Sequence, residues 1–211
     1  MEKNRCDILS EVASYYSAKL AEHGATARGV DWNSEEGQIL RFEQLTKVIR
    51  HTQGFSINDV GCGYGALIDY LWTNYQDFVY TGCDVSNDMI QAAKARHATN
   101  ANVRFVQATM PPQKADYGIA SGIFNVRLSR RDEDWINYMG VTLDALDRTS
   151  HYGFAFNCLT SYSDAKMMRD YLYYADPCML FDLCKRRYSR HVALMHDYGL
   201  YEFTVIVRKE I

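Results

Sequence analysis

Two aspartates and three glycines carry the clearest chemistry in this 211-residue chain. Asp59 stands two residues before Gly61 in "DVGCGYG", and Gly63 and Gly65 follow at alternate positions. Glycines at that density remove Cβ atoms, so the backbone can turn tightly and lie close to a ligand. A second carboxylate, Asp84 in "YTGCDVS", comes 23 residues after Gly61. At a strand end, such a carboxylate accepts the hydroxyl protons of an unphosphorylated ribose. Gly61, Gly63 and Ala66 also satisfy G-x-G-x-x-A, the dinucleotide fingerprint. Asp59 opposes that use, because it would repel a pyrophosphate and suits a ligand with an ammonium group. Asp84 has an alternative as a helix cap, but Ser86 is better placed to cap "NDMIQAAK".

These residues need strands to end at one edge and helices to begin there. Apolar runs predict strands over 56–60, 78–84, 103–107 and 116–122, and helical spacing predicts helices over 66–74, 87–97 and 132–148. This alternation means right-handed crossovers and a parallel sheet with helices on both faces. Another strand follows in "HYGFAFNCL", and then a helical excursion from Ser163 to Ser189, interrupted by Pro177. Two apolar runs around Asp197-Tyr198-Gly199 predict a closing antiparallel hairpin, which the ordinary nicotinamide-binding topology lacks. Residues 1–54 read as a helical cap, with one helix stopping at Gly24 and another from about 34 to 51. Residues 55–211 then form the core, with a helical insertion at about 161–189.

The bulk numbers exclude several classes. A net charge of −3 gives no basic footprint for nucleic acid. No apolar run approaches the roughly 18 residues that a membrane-spanning helix needs, and "MEKNRCDILSEV" has no signal-peptide core. The six cysteines show no C-x-x-C pair and no metal spacing, which predicts reduced thiols and a cytoplasmic protein. No metal site is expected: Asp132-Glu133-Asp134 fits the negative charge favoured at a helix start.

"DVGCGYG", "GCDVSNDMIQAAK" and the closing strand pair together resemble the class I S-adenosylmethionine (SAM)-dependent methyltransferases, over about residues 55–211. The resemblance implies a Rossmann-like α/β fold, with a seven-stranded sheet in the order 3-2-1-4-5-7-6 and the last strand antiparallel. It implies that Asp84 holds the ribose, that Gly61, Gly63 and Gly65 pass beneath the methionine part, and that Asp59 faces its amino end. Many relatives carry an Asp after the third strand for the adenine; Thr109 stands there in "VRFVQATMPP". The product would be S-adenosylhomocysteine (SAH).

The acceptor must be read from the fringes. After the fourth strand, "SGIFNVRL" replaces the D/N-P-P-Y of base and glutamine N-methyltransferases. Segments rich in Tyr, Trp, Asp and Arg near both ends suit sugars, whose C–H faces stack on rings while hydroxyls are hydrogen-bonded. The fringes, including "GVDW" and "YYADP", also resemble small methyltransferases of glycan assembly, some fused to glycosyltransferases in viruses and bacteria. That implies O-methylation of a sugar hydroxyl, with a deoxyhexose such as rhamnose as the example. The alternatives are a small-metabolite O- or carboxyl-methyltransferase and a SAM-binding module without catalysis. Trp32, Asn125, Arg127 and Tyr173 are the candidate substrate contacts, and Arg41 the candidate partner of the SAM carboxylate. His196, near the end of the sixth strand, is the candidate base, with an ordinary imidazole pKa of about 6.5. Asp31 in "GVDW" is its rival.

Overall fold

A computed structural model describes residues 2–209, with side chains from residue 6 onward. The strands are β1 (Gln53–Val60), β2 (Gln76–Asp84), β3 (Val103–Gln107), β4 (Ala115–Ala120), β5 (Ser150–Leu159), β6 (His191–Met195) and β7 (Glu202–Arg208). They form one sheet in the order β3-β2-β1-β4-β5-β7-β6. β7 is antiparallel to both β5 and β6, and the other pairings are parallel. The expected order and hairpin are therefore observed.

Six α-helices accompany the sheet: α1 (Glu2–His23), α2 (Glu35–Thr46), α3 (Ala66–Asn74), α4 (Asn87–Arg96), α5 (Asp132–Thr149) and α6 (Pro177–Arg187). Successive residues of a strand face opposite sides of the sheet, so each strand feeds two cores. On β5, Phe154 and Phe156 pack with Trp135, Leu143 and Leu180 on one side, while Ala155 meets the cluster of Leu45, Leu67 and Leu71 on the other. Each fully buried side chain of this size contributes roughly 1.5–3 kcal/mol. Trp135 also satisfies its indole, donating from Nε1 to the Phe124 carbonyl at 3.0 Å.

The helix starts are set by local chemistry. Ser86 caps α4, accepting from the Met89 amide, and Asp176 caps α6 directly before Pro177. The expected helical excursion over 163–189 is helical only from Pro177. Before it lie a 3-10 turn, Ala165–Met167, and two isolated bridges, Val126 to Leu172 and Thr160 to Ala175. The Tyr173 amide donates to the Asn125 carbonyl and the Ala175 amide to the Leu159 carbonyl. Backbone groups committed to these tertiary partners are lost to a helix ladder. Among the described residues, no helix is long and apolar enough to cross a membrane.

Candidate active site

The carboxyl ends of β1, β2 and β4 meet beneath α1 and the segment that joins it to α2. Gly61 adopts φ 73°, and a Cβ there would stand 2.2 Å from Ile123 Cγ2, so only glycine fits the first turn after β1. The Gly61 and Cys62 amides both donate to the Cys83 carbonyl, which ties that turn to β2. The Gly63 amide donates to Asp84 Oδ2 and the Ser86 amide to Asp84 Oδ1, each at 2.9 Å. These bonds fix the Asp84 carboxylate and leave it further acceptor capacity for a ligand. Burial pushes the Asp84 carboxyl upward from its ordinary value despite those amides.

Asp59 lies deeper, 2% exposed, and accepts from the Tyr80 hydroxyl at 2.6 Å. Burial pushes its carboxyl up to about 7, and the nearby Asp84 adds to the rise. An ammonium group brought against it would restore its charge.

Two adjoining cavities open on these residues. The first, about 760 Å³, is lined by Tyr16, Trp32, Asp84, Thr109, Ser121 and Tyr138 among others. The second, about 340 Å³, is lined by Gln38, Asp59, Cys62 and Tyr64 among others. Val30, Trp32, Gly61, Gly63 and Ser121 line both.

Trp32 is placed by a chain of contacts from distant parts of the sequence. The Arg41 guanidinium stacks 3.8 Å above its ring. Arg41 in turn donates from Nε and Nη2 to Glu202, whose other donor is Asn157 Nδ2 at 2.5 Å. Asn157 Oδ1 accepts from the Gly122 amide at 2.8 Å. Gly122, at φ 73°, lies directly under the Trp32 ring, and a Cβ there would stand 2.4 Å from it.

Several expected site residues are placed elsewhere. Arg41, expected at a ligand carboxylate, is instead committed to Glu202 in a buried ion pair. Asn125 Oδ1 accepts from the Leu159 amide, and Tyr173, 8% exposed, belongs to the apolar core. Arg127 clamps a loop, donating to the carbonyls of Arg130 and Asp170. Neither Asn125, Arg127 nor Tyr173 lines either cavity.

The two candidate bases also lie outside both cavities. Asp31 accepts from the Tyr15 hydroxyl at 2.6 Å and pairs with Lys19 at 2.9 Å, so its carboxylate is tied to α1. His196 is exposed past the end of the edge strand β6, its ring 5.9 Å from that of Tyr162. Edge position explains this: the order places β6 two strands beyond β5.

Thr109 and Trp32 do line the first cavity. Sequence reasoning missed Tyr16, Ser121, Tyr138 and Glu202. Tyr16 stood in the apolar stripe of α1, the signal of a core residue, yet its ring reaches the cavity. Burial and the nearby Asp31 and Asp84 push its phenol far upward, so it stays a proton donor. Ser121 was legible only as the first residue past β4.

The donor set fits S-adenosylmethionine. Asp84 with acceptor capacity to spare, the buried carboxyl of Asp59 and the buried Ser121 Oγ, unpartnered among the described residues, converge on one continuous space that could take ribose hydroxyls and an ammonium group. Among the described residues, no group of three His, Cys, Asp or Glu side chains is placed to hold a metal ion.

Comparisons with known proteins agree. Residues 57–140 match the family described as "Methyltransferase domain". A protein of Mycobacterium tuberculosis (strain ATCC 25618 / H37Rv) named "Putative methyltransferase Rv1506c" is 58% identical over 163 residues, 77% of this chain and 98% of its own. Among solved structures, DhpI in complex with SAH superposes with a TM-score of 0.64 at 18% identity, covering 96% of this chain and 97% of that one. Human N-acetylserotonin methyltransferase in complex with SAM gives 0.61 at 13% identity, covering 94% and 67%. Fold, site and sequence similarity therefore place this chain in the family of SAM-dependent methyltransferases.

Proposed function

We propose that this enzyme methylates a sugar hydroxyl of a glycan, with a deoxyhexose such as rhamnose as the type of acceptor. Bound in the two cavities, SAM supplies a methyl group on a sulfonium leaving group. Asp84 takes the ribose hydroxyls, Asp59 meets the ammonium end, and the backbone at Gly61 and Gly63 allows close approach. Trp32 roofs the crevice and keeps water from it.

The observation that supports a sugar acceptor is a set of exposed tyrosines. Tyr162, Tyr171 and Tyr201 are 69%, 40% and 44% exposed on the loops that follow β5 and precede β7. The Tyr201 hydroxyl donates to Asp164 Oδ2 at 2.5 Å, which sets a carboxylate beside that ring, while the Tyr171 ring lies 6.4 Å from that of Tyr15. Rings stack on sugar C–H faces while such carboxylates accept hydroxyl protons. With that acceptor, the enzyme works beside glycosyltransferases, fused to one or separate.

A second acceptor class is favoured by the cavity walls. Among the described residues, no carboxylate or imidazole beyond Asp59 and Asp84 lines either cavity. A carboxylic acid is already ionised at neutral pH and needs no base to accept a methyl group. Methyl-labelled SAM offered with deoxysugar glycosides and with small carboxylic acids separates the two. Label in an alkali-stable ether supports the sugar; label only in alkali-labile esters overturns it. Cofactor binding without turnover on any acceptor would make the chain a SAM-binding module.

A further inference from the structure

Ser121 has a position that neither the cofactor carboxylates nor the candidate bases share. Its Oγ is buried and has no hydrogen-bond partner among the described residues. A buried hydroxyl without a partner is destabilising, and a ligand that supplies one relieves this.

The cavity walls show which part of the cofactor lies beside that hydroxyl, on the reading that the cavities hold SAM. Asp84 lines only the first cavity and Asp59 only the second. The sulfur of SAM joins its ribose to its amino-acid chain. With the ribose at Asp84 and the ammonium group at Asp59, that sulfur and its methyl group belong at the shared wall. Of the residues there, Gly61 and Gly63 lack side chains, Val30 is apolar and Trp32 is stacked under Arg41. Ser121 contributes the one hydroxyl among them.

Its position is also fixed. The next amide, Gly122, is held by Asn157, which is held by the buried Glu202. Such support from behind keeps a site group within the tolerance that chemistry requires.

We infer that Ser121 faces the transferable methyl group and supplies the hydrogen bond that holds the acceptor's reacting oxygen against it. A hydroxyl both donates and accepts, so Ser121 can take the proton side of an alcohol or donate to a carboxylate. It acts by orientation, since a serine hydroxyl without a neighbouring base does not remove protons at neutral pH.

The test uses SAM carrying a 13C-labelled methyl group, SAH, and the Ser121→Ala, Ser121→Thr and Ser121→Val variants. Affinity for SAH stays within about twofold of wild type in the Ala and Thr variants. Added bulk in Ser121→Val weakens SAM by about fivefold or more relative to SAH, because only SAM carries the methyl group. The bound methyl resonance moves in Ser121→Ala. On the acceptor panel, Ser121→Ala loses about tenfold or more in turnover and Ser121→Thr retains most of it. An unchanged SAM-to-SAH ratio in the Val variant with an unmoved methyl resonance in the Ala variant overturns the inference, as does undiminished turnover in Ser121→Ala. Wild type that binds neither SAM nor SAH overturns the cofactor reading instead. Wild type that binds but methylates nothing on the panel overturns the acceptor class, while the resonance still decides where Ser121 lies.

Discussion

Arg41 and Glu202, 161 positions apart in the chain, form a buried ion pair at the back of the cofactor crevice. Arg41 Nε lies 2.9 Å from both carboxylate oxygens and Nη2 lies 2.7 Å from one of them. The pair joins α2 to the first residue of β7 and presents the flat guanidinium to Trp32. Through it the N-terminal helices become part of the site.

Breaking that pair leaves a buried charge without its partner. Arg41→Ala and Glu202→Gln are each expected to cost about 3–5 kcal/mol of folding stability. Urea unfolding followed by circular dichroism measures this. A loss under about 1 kcal/mol would mean that water reaches the site and screens the pair.

Gly122 and Trp32 make a steric pair that two substitutions can separate. Gly122→Ala puts a methyl group into the indole and strains a left-handed backbone, so stability falls by more than about 1 kcal/mol and SAH binding weakens. Adding Trp32→Ala removes the clash and returns part of the stability. If the double variant is no more stable than the single one, backbone strain alone accounts for the effect.

Asp84→Ala removes the acceptor proposed for the ribose. SAH affinity measured by calorimetry should fall by about 1–3 kcal/mol. The Gly63 and Ser86 amides lose their acceptor too, so thermal unfolding of the free variant is the companion measurement. Unchanged affinity would remove Asp84 from the cofactor site.

Asp59 links both stability and binding to pH. Its carboxyl titrates at about 7 in the folded protein against an ordinary value of 3.8. Between those values the folded state holds the proton more tightly than the unfolded chain. The stability contributed is therefore full below the unfolded value and is lost as pH rises through about 7. Urea unfolding of wild type and Asp59→Asn at several pH values isolates this slope, which the variant should lack. Binding has the opposite sense. An ammonium ligand favours the ionised carboxylate, so SAM binding near neutral pH should release protons, seen as a calorimetric heat that depends on the buffer. Equal proton release from wild type and Asp59→Asn would sink the assignment.

The scaffold was set by patterns local in the chain. Helix α3 and strand β3 lie where the apolar pattern put them, because periodicity and caps act within a few residues of chain. The positions of Asp59, the glycine turn and Asp84 follow for the same reason: each is a short motif at a predicted strand end, and the fold brings those ends together at one edge. The tertiary structure alone decided which fringe residues reach that edge. Asn125, Arg127 and Tyr173 have the side chains of a binding site but are consumed by backbone partners and core packing. Arg41 found Glu202, the buried first residue of β7. His196 lies just past the edge strand and outside the crevice, whereas Tyr16 in α1 and Ser121 in the turn after β4 line it. Hydrogen-bond partners are chosen by proximity in space, and for pairs as distant as Arg41 and Glu202 only the closed fold establishes that proximity.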